Sequence, residues 1–330
     1  MLTLRIYMRY DERLDVKIAM LYYLKNLDQD EIALRLGLSR QSVSRHLRRA
    51  RETGIVQFNI NSPNEVTFAE LELELETAFG LKAAVIAPVN LNADDLIKED
   101  IGKYAAGFIE QNVRDGDVLG VSWSSTVFAC AQNLKTNGVK DLTICQLNGS
   151  MDVADFSTRA EFIISKIAAA FKARTSSLAA PMLVDSPEIL TSILADTRIR
   201  NSFDIAQRAT IGVFGIGSIN QESSLYRTGY MSAHILDELR EKHAVGDIAG
   251  HFFDSRGEIC DQFLESCTLA VPKAAFESMR FSIALAGGTQ KLEAIEGALA
   301  GKWCNVLVTD EITAQSLLHR RNPGISGARR

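Results

Sequence analysis

The sequence predicts an α/β chain in two parts. A helix-turn-helix, winged-helix-like head occupies residues 1–61, a linker helix lies within 62–80, and a Rossmann-like parallel-sheet body occupies 81–330. Three observations carry this reading. Near the N-terminus, QDEIALRLGLSRQSVSRHLRRAR (29–51) sets two short helical periods around a glycine. From about Lys82 onward, short Val/Ile/Leu runs alternate with helical segments, the pattern of a mainly parallel sheet covered on both faces. Charge divides along the same line: residues 1–61 hold eleven Lys/Arg against seven Asp/Glu, a net of +4, so a chain of net −5 leaves −9 for the remainder.

In the head, Ile32, Ala33 and Leu36 fall on one face of the first short helix. Gly37 permits the sharp turn, because a residue without Cβ takes positive φ at little steric cost. Ser39 stands where an N-cap belongs, its hydroxyl able to accept an orphan backbone N–H. Val43, Leu47 and Ala50 return to the core at helical spacing, and a preceding amphipathic helix over 14–26 adds Ile18, Leu21, Tyr22 and Leu24. The second helix then presents Arg40, Gln41, Ser42, Ser44, Arg45, Arg48 and Arg49 outward, with Ser39 at its start and no acidic residue before Glu52. Gln and Arg pair bidentately with base edges, and Ser and Arg hold phosphates, so this set is expected to contact DNA. Gly54–Ile60 (GIVQFNI) reads as a helix stop followed by a short strand in the position of a wing.

Ser62-Pro63-Asn64 punctuates the chain. Thr67–Phe79 is amphipathic, with Phe68, Leu71, Leu75 and Phe79 on one side and Glu70, Glu72, Glu74 and Glu76 over much of the rest. Such a helix either pairs between subunits or packs on its own domain.

Strands are expected at AAVIAP, VLGVSW, LTICQLNG, IGVFGIGS, SIALAGG and NVLVTDE, with helices through 97–113, TVFACAQNL and 161–173 among the intervening segments. Ligands of such sheets bind outside the carboxyl ends of the strands, where hydroxyl- and glycine-rich turns collect. Gly120, Ser122, Ser124, Ser125 and Thr126 form a strand-to-helix turn able to cradle an anion at a helix N-terminus. Asn148 and Gly149 follow the next strand, and Gly287, Gly288 and Lys291 set a positive charge one helical turn behind a glycine turn. Asp254, in GHFFDSRG, is placed either to bond sugar hydroxyls or to close a turn before Arg256-Gly257. Together these residues point to a small phosphorylated or polyhydroxylated ligand.

Other chemistries find less support. There is no GxxxxGK[ST] loop, no full GxGxxG fingerprint, no GxSxG elbow and no HExxH spacing, and the five histidines are scattered. The five cysteines form no CxxC pair, which fits a reduced cytoplasmic chain, with Cys130 and Cys145 as small core residues. No cofactor or metal is called for. No apolar run reaches the roughly 18 residues that span a membrane, and mean hydropathy is +0.01 with 46% hydrophobic residues, the composition of a folded soluble protein.

Taken in order, DEIALRLGLSRQSVSRHL, GVSWSST, the Pro181–Glu188 segment, VFGIGS, GDIAGHFFDSRG, AGGTQKLEAI and LVTDEITAQSLL resemble the SorC family (SorC/DeoR group) of bacterial transcriptional regulators. That resemblance implies an effector domain related to sugar-phosphate isomerases but without turnover, a carbohydrate or sugar-phosphate effector, operator DNA as partner, and a homodimer or homotetramer. It implies a phosphate side at Gly120, Ser124, Ser125, Thr126, Gly287, Gly288 and Lys291, and a sugar side at Asn148, Gly149 and Asp254. Trp123 and its flanking serines depart from the Gly/Thr-rich loop common in the family, which leaves phosphorylation of the ligand open. The alternative is a sugar-phosphate isomerase or deaminase carrying a DNA-binding head, separable by a turnover assay.

Overall fold

The computed structural model describes residues 12–56, 68–89, 94–136, 138–150, 160–221, 223–227, 229 and 231–321. They fall into two compact units, Met1–Glu65 and Val66–Arg330. Residues 57–60 of the expected wing, the 62–64 boundary and residues 322–330 lie outside the described residues.

The described residues of the small unit form three helices: α1 (12–24), α2 (Gln29–Leu36) and α3 (Arg40–Glu52). Asp28 opens α2 with a capping box, its Oδ1 accepting Glu31 N at 2.8 Å while Glu31 Oε2 accepts Asp28 N at 2.8 Å. Gly37 closes α2 at φ 66°, a backbone state that a Cβ would strain. Ser39 Oγ accepts Ser42 N at 3.2 Å as the N-cap of α3. Ile18, Leu21, Ile32, Ala33, Val43 and Leu47 form the core. One expected member is absent: Leu24 is 68% exposed. The last turn of α1, Met20–Leu24, widens to π geometry, which shifts the helical phase, and Leu27 packs on the core instead.

The large unit is built on a seven-stranded parallel sheet of order β1-β10-β9-β5-β2-β3-β4. Its strands are β1 (Ala83–Ala87), β2 (Val118–Val121), β3 (Thr143–Gln146), β4 (Arg174–Ser176), β5 (Ile211–Gly215), β9 (Phe281–Leu285) and β10 (Val306–Asp310). Successive residues alternate between two cores. Leu119, Val121, Ile144, Val213, Ile283, Leu285, Val306 and Val308 meet helices α5 (Asp94–Asn112), α6 (Ser125–Asn133) and α7 (Ala160–Phe171). Cys145, Phe214, Ala284 and Leu307 meet the opposite layer, which includes α4 (Ala69–Phe79), α9 (Thr197–Gln207), α14 (Leu292–Ala300) and α15 (Glu311–Arg321). Burial pushes the thiols of Cys130 and Cys145 up to about 12, so both behave as small apolar groups.

Of the two placements open to the helix within 62–80, the structure has the one in which it packs on its own domain. Leu75 of α4 is fully buried in the large unit, with Phe68, Leu71 and Phe79 packed beside it. Glu76 Oε1 accepts Ala84 N and Glu72 Oε1 accepts Ile86 N, both at 3.0 Å. Four helical residues rise about 6 Å and two strand residues about 6.6 Å, so the carboxylates match alternate amides of the edge strand β1. Thus α4 covers an edge that would otherwise offer unpaired donors, and it is part of the effector unit rather than a free-standing linker.

A second sheet, which the sequence pattern did not predict, joins β6 (Gly217–Ser218), β7 (Gly246–Ile248) and β8 (His251–Phe253) antiparallel. Its hairpin turns on Ala249 (φ 55°) and Gly250 (φ 94°), a primed geometry that usually announces itself as Asn-Gly or Asp-Gly. Beside it lie α10 (Ser224–Arg227), α11 (Ala233–Glu241) and α12 (Gln262–Ser266) around Leu225, Met231, Leu236, Leu239, Phe252 and Leu264.

Candidate functional site

The small unit presents its chemistry on α3. Val43, Leu47 and Ala50 anchor the helix, leaving Arg40, Gln41, Ser44, Arg45, Arg48 and Arg51 exposed and Ser42 half-buried. Arg40 makes only an exposed pair with Asp30 at 3.6 Å, an interaction worth little in water. Seven of the eight expected DNA-facing residues therefore lie on the outer face or at the start of the helix. Arg49 does not belong with them. Its Nε donates to Asp15 Oδ2 at 2.7 Å and its Nη2 to Asp15 Oδ1 at 3.0 Å. Asp15 is 1% exposed and also holds His46 Nδ1 at 2.6 Å. The half-exposed guanidinium is drawn onto this buried carboxylate, tying α3 to α1. Sequence spacing placed Arg49 outward because an acid on α1, 34 positions away, is invisible to a helical-wheel argument.

In the large unit the chain runs from β2 through β3 to β4, then returns to pair β5 on the other side of β2. The carboxyl ends of β2 and β5 thus form a topological switch point, where a parallel sheet leaves a crevice for ligands. Several expected residues converge there. Ser122, 4% exposed, donates its amide to Val213 O at 3.0 Å. Ser124 caps α6, its Oγ accepting Val127 N at 3.1 Å. Ser125 and Thr126 occupy the first turn, whose amides helix geometry leaves without acceptors. Across the crevice, a Cβ on Gly215 would sit 2.9 Å from Ser124 Oγ, so only glycine admits the cap at this distance. Lys291 reaches over from the turn after β9, its Nζ donating to Ile216 O at 2.9 Å.

Other expected residues have structural duties. Gly120 lies inside β2, buried, where an added Cβ would come within 2.3 Å of Leu147 Cδ2; it is a packing residue and does not line the turn. Gly149 is enclosed by Pro181 and Met182, its N–H donating to Leu269 O at 2.8 Å and its carbonyl accepting Trp123 Nε1 at 3.2 Å. Gly288 N donates to Asp310 Oδ2 and Thr313 Oγ1, both at 2.8 Å, and a Cβ on Gly287 would fall 2.3 Å from Asp310 Oδ2. These glycines fit the loop against a buried carboxylate, and the Gly288 amide does not face a ligand. Asp254 closes its own turn: Oδ1 accepts Arg256 N at 2.8 Å and Glu258 N at 3.1 Å, and Oδ2 pairs with Arg256 at 3.0 Å. These bonds offset its burial and hold its carboxyl below the usual range. Its carboxylate is committed to that turn. Asn148 is fully buried, with Nδ2 on Met182 Sδ at 3.3 Å and Oδ1 without a donor among the described residues.

One residue of the crevice escaped the sequence reading. Asp247, on β7 opposite Gly217, is partly buried, and a Cβ on Gly217 would lie 1.9 Å from its Oδ1. Burial pushes its carboxyl up to about 6, against the opposing pull of the Gly250 amide, Lys291 and His251. An acid held off its ordinary value beside a lysine is a candidate for a functional position. Its signal, GDI between two helical segments, is indistinguishable in sequence from an ordinary turn. A separate small cavity lined by Met182, Leu225, Met231, Phe252 and Leu264 is apolar, and the Thr268 hydroxyl on its wall is spent on Leu264 O at 2.7 Å; it offers nothing to hold a sugar.

Comparison with known proteins extends over both units. Residues 64–319 match the family described as "Putative sugar-binding domain", and residues 16–53 match sigma-70, region 4. The deoxyribonucleoside regulator of Bacillus subtilis (strain 168) is 34% identical over 94% of this chain and 99% of its own length. The sorbitol operon regulator of Klebsiella pneumoniae is 32% identical over 93% of this chain and 98% of its own. The crystal structure of the full-length sorbitol operon regulator SorC from Klebsiella pneumoniae matches with a TM-score of 0.73 at 30% identity, covering 93% of this chain and 98% of that one. These relatives are regulators rather than enzymes, which removes the isomerase alternative. Head and body are matched together and nearly end to end, and the chain belongs to the SorC family of sugar-binding transcriptional regulators.

Proposed function

We propose that this regulator binds a palindromic or repeated operator through α3 and loses or gains that affinity when a small carbohydrate, free or phosphorylated, enters the β2/β5 crevice. The observation that supports it best is that the α6 cap and Lys291 both converge on the segment at the end of β5, Ser124 against Gly215 and Lys291 Nζ donating to Ile216 O. Helix N-terminal amides and an ammonium suit an anionic group. Asp247 and Asn148 Oδ1, which has no donor among the described residues, are acceptors suited to sugar hydroxyls. Relatives named for deoxyribonucleosides, sorbitol and erythritol catabolism agree with an effector of this size and polarity. The protein acts in the cytoplasm as a homodimer or homotetramer, since a symmetric operator is read by a symmetric protein; among the described residues no helix is long and apolar enough to cross a membrane.

A thermal-shift screen of sugars, polyols and their phosphates tests the crevice, because a ligand at about 100 times its Kd adds about 2.7 kcal/mol to folded-state stability. At least one compound is expected to raise the melting temperature of the wild type and to lose that effect in Lys291→Ala. A compound that shifts both proteins equally places the effector elsewhere.

A further inference from the structure

The buried carboxylate of Asp15 sits behind the proposed DNA-facing helix, and its partners are two residues of that helix, His46 and Arg49. Asp15 is 1% exposed, whereas the Arg49 side chain is 41% exposed and His46 12%. Arg49 therefore stands at the margin between interior and surface, and its two bonds to Asp15, at 2.7 and 3.0 Å, draw it inward. Two parallel N–H···O bonds to one carboxylate are the strong, geometrically selective form of such a pair. His46 Nδ1 at 2.6 Å occupies the same Oδ1, so the carboxylate also fixes the ring one turn earlier on α3.

We infer that Asp15 is a positioning and charge-quenching residue for operator reading. It withholds Arg49 from the phosphate backbone and confines the cationic face to Arg40, Arg45, Arg48 and Arg51. A cation on the DNA side of α3 that reads no base adds affinity for every duplex alike. Quenching it lowers the sequence-independent background against which Gln41, Ser44, Arg45 and Arg48 discriminate. The inference rests on the assignment of α3 as the DNA-reading helix.

The decisive variant is Asp15→Asn in the full-length chain, measured by the slope of log affinity against log salt on a duplex of unrelated sequence. Asn keeps the shape but replaces a charge-assisted fork with a neutral amide, and Arg49 is exposed enough to swing into solvent without stranding a buried charge. The slope is expected to steepen by up to about 0.9, equivalent to about a threefold larger loss of affinity across a fourfold rise in salt. Arg49→Gln added to Asp15→Asn is expected to return the slope to that of the wild type. That double variant removes both charges together and keeps the test interpretable if the single variant is poorly folded, since a double variant with the steeper slope contradicts the inference. Arg48→Ala is the control and is expected to flatten the slope by about 0.9. A flattened slope in Arg48→Ala with an unchanged slope in Asp15→Asn overturns the role of Asp15 alone. An unchanged slope in Arg48→Ala overturns the α3 assignment and this inference with it.

Discussion

Replacing Asp247 with Asn isolates the energetic cost of the crevice. In the folded chain burial lifts this carboxyl from 3.8 to about 6, with Gly250, Lys291 and His251 offsetting only part of the penalty. That gap corresponds to about 3 kcal/mol of differential interaction between the charged and neutral forms. The folded chain holds the proton more tightly than the unfolded chain. Stability therefore declines as pH rises from about 4 to about 6, and the whole cost is present above that range. Asn retains an acceptor for the Gly250 amide and carries no charge at any pH. At about pH 7.5 the variant should be more stable than the wild type by on the order of 1 to 3 kcal/mol, less than the full figure because Lys291 loses its neighbour. At about pH 4, where both side chains are neutral, the advantage should vanish. Trp123 and Trp303 are the only tryptophans and both lie in the large unit, so their fluorescence during urea unfolding follows that unit without interference from the head. An advantage of equal size at both pH values, or a less stable variant at about pH 7.5, refutes the argument that the ionised carboxylate is the cost.

Two further outcomes follow from the packing. Asp117, 5% exposed, ties together the amino ends of β2, β5 and β9 through Arg280 Nη2 at 2.6 Å, Thr210 Oγ1 at 2.8 Å and Arg114 N at 2.8 Å; Asp117→Ala should cost about 3 to 5 kcal/mol in urea unfolding by stranding the guanidinium. Gly120→Ala should cost about 1 to 3 kcal/mol through overpacking against Leu147, while the variant molecules that remain folded keep the wild-type thermal response to the effector, because Gly120 packs and does not bind.

What was legible in the sequence was whatever local periodicity decides. The strands of continuous aliphatic character, VLGV, TICQ, IGVFG and VLVTD, lie where they were expected because residues buried on both faces leave no polar alternation to misread. The turn and cap of the head were equally legible, since Gly37 and Ser39 act on their immediate neighbours. Leu24 and Asp254 depart for local reasons, a π turn and a tight turn; the other errors share one cause, a partner far away in sequence. Arg49 faces inward for Asp15, and Gly288 turns its amide to Asp310 and Thr313. Glu72 and Glu76 look like a solvated face until β1 is placed beside them. Gly120 and Ser124 stand four residues apart in one hydroxyl-rich motif, yet only Ser124 reaches the crevice, because the strand ends between them at Val121.

The committed glycine amides also narrow what the proposed site can recognise. With the Gly288 amide committed to Asp310, an anionic group is left with the α6 first turn and Lys291, which lie on the β2 and β9 sides of β5. Asp247 is the acidic member of the set, and a phosphate placed against it would raise its carboxyl further and oppose binding at neutral pH. In the proposed site a phosphorylated effector would point its phosphate toward Ser124–Thr126 and its hydroxyls toward Asp247, whereas an unphosphorylated polyol has no such constraint. The two cases differ in how affinity depends on pH. Hydroxyl donors prefer the ionised carboxylate, so a polyol should bind more tightly as pH rises through about 6, the value at which Asp247 loses its proton. In Asp247→Asn that dependence should disappear. A phosphate ester instead retains a dependence of its own in the variant, because its second ionisation also falls near 6. Titrating the screened effector against the wild type and Asp247→Asn across that range identifies which class the crevice was built to hold.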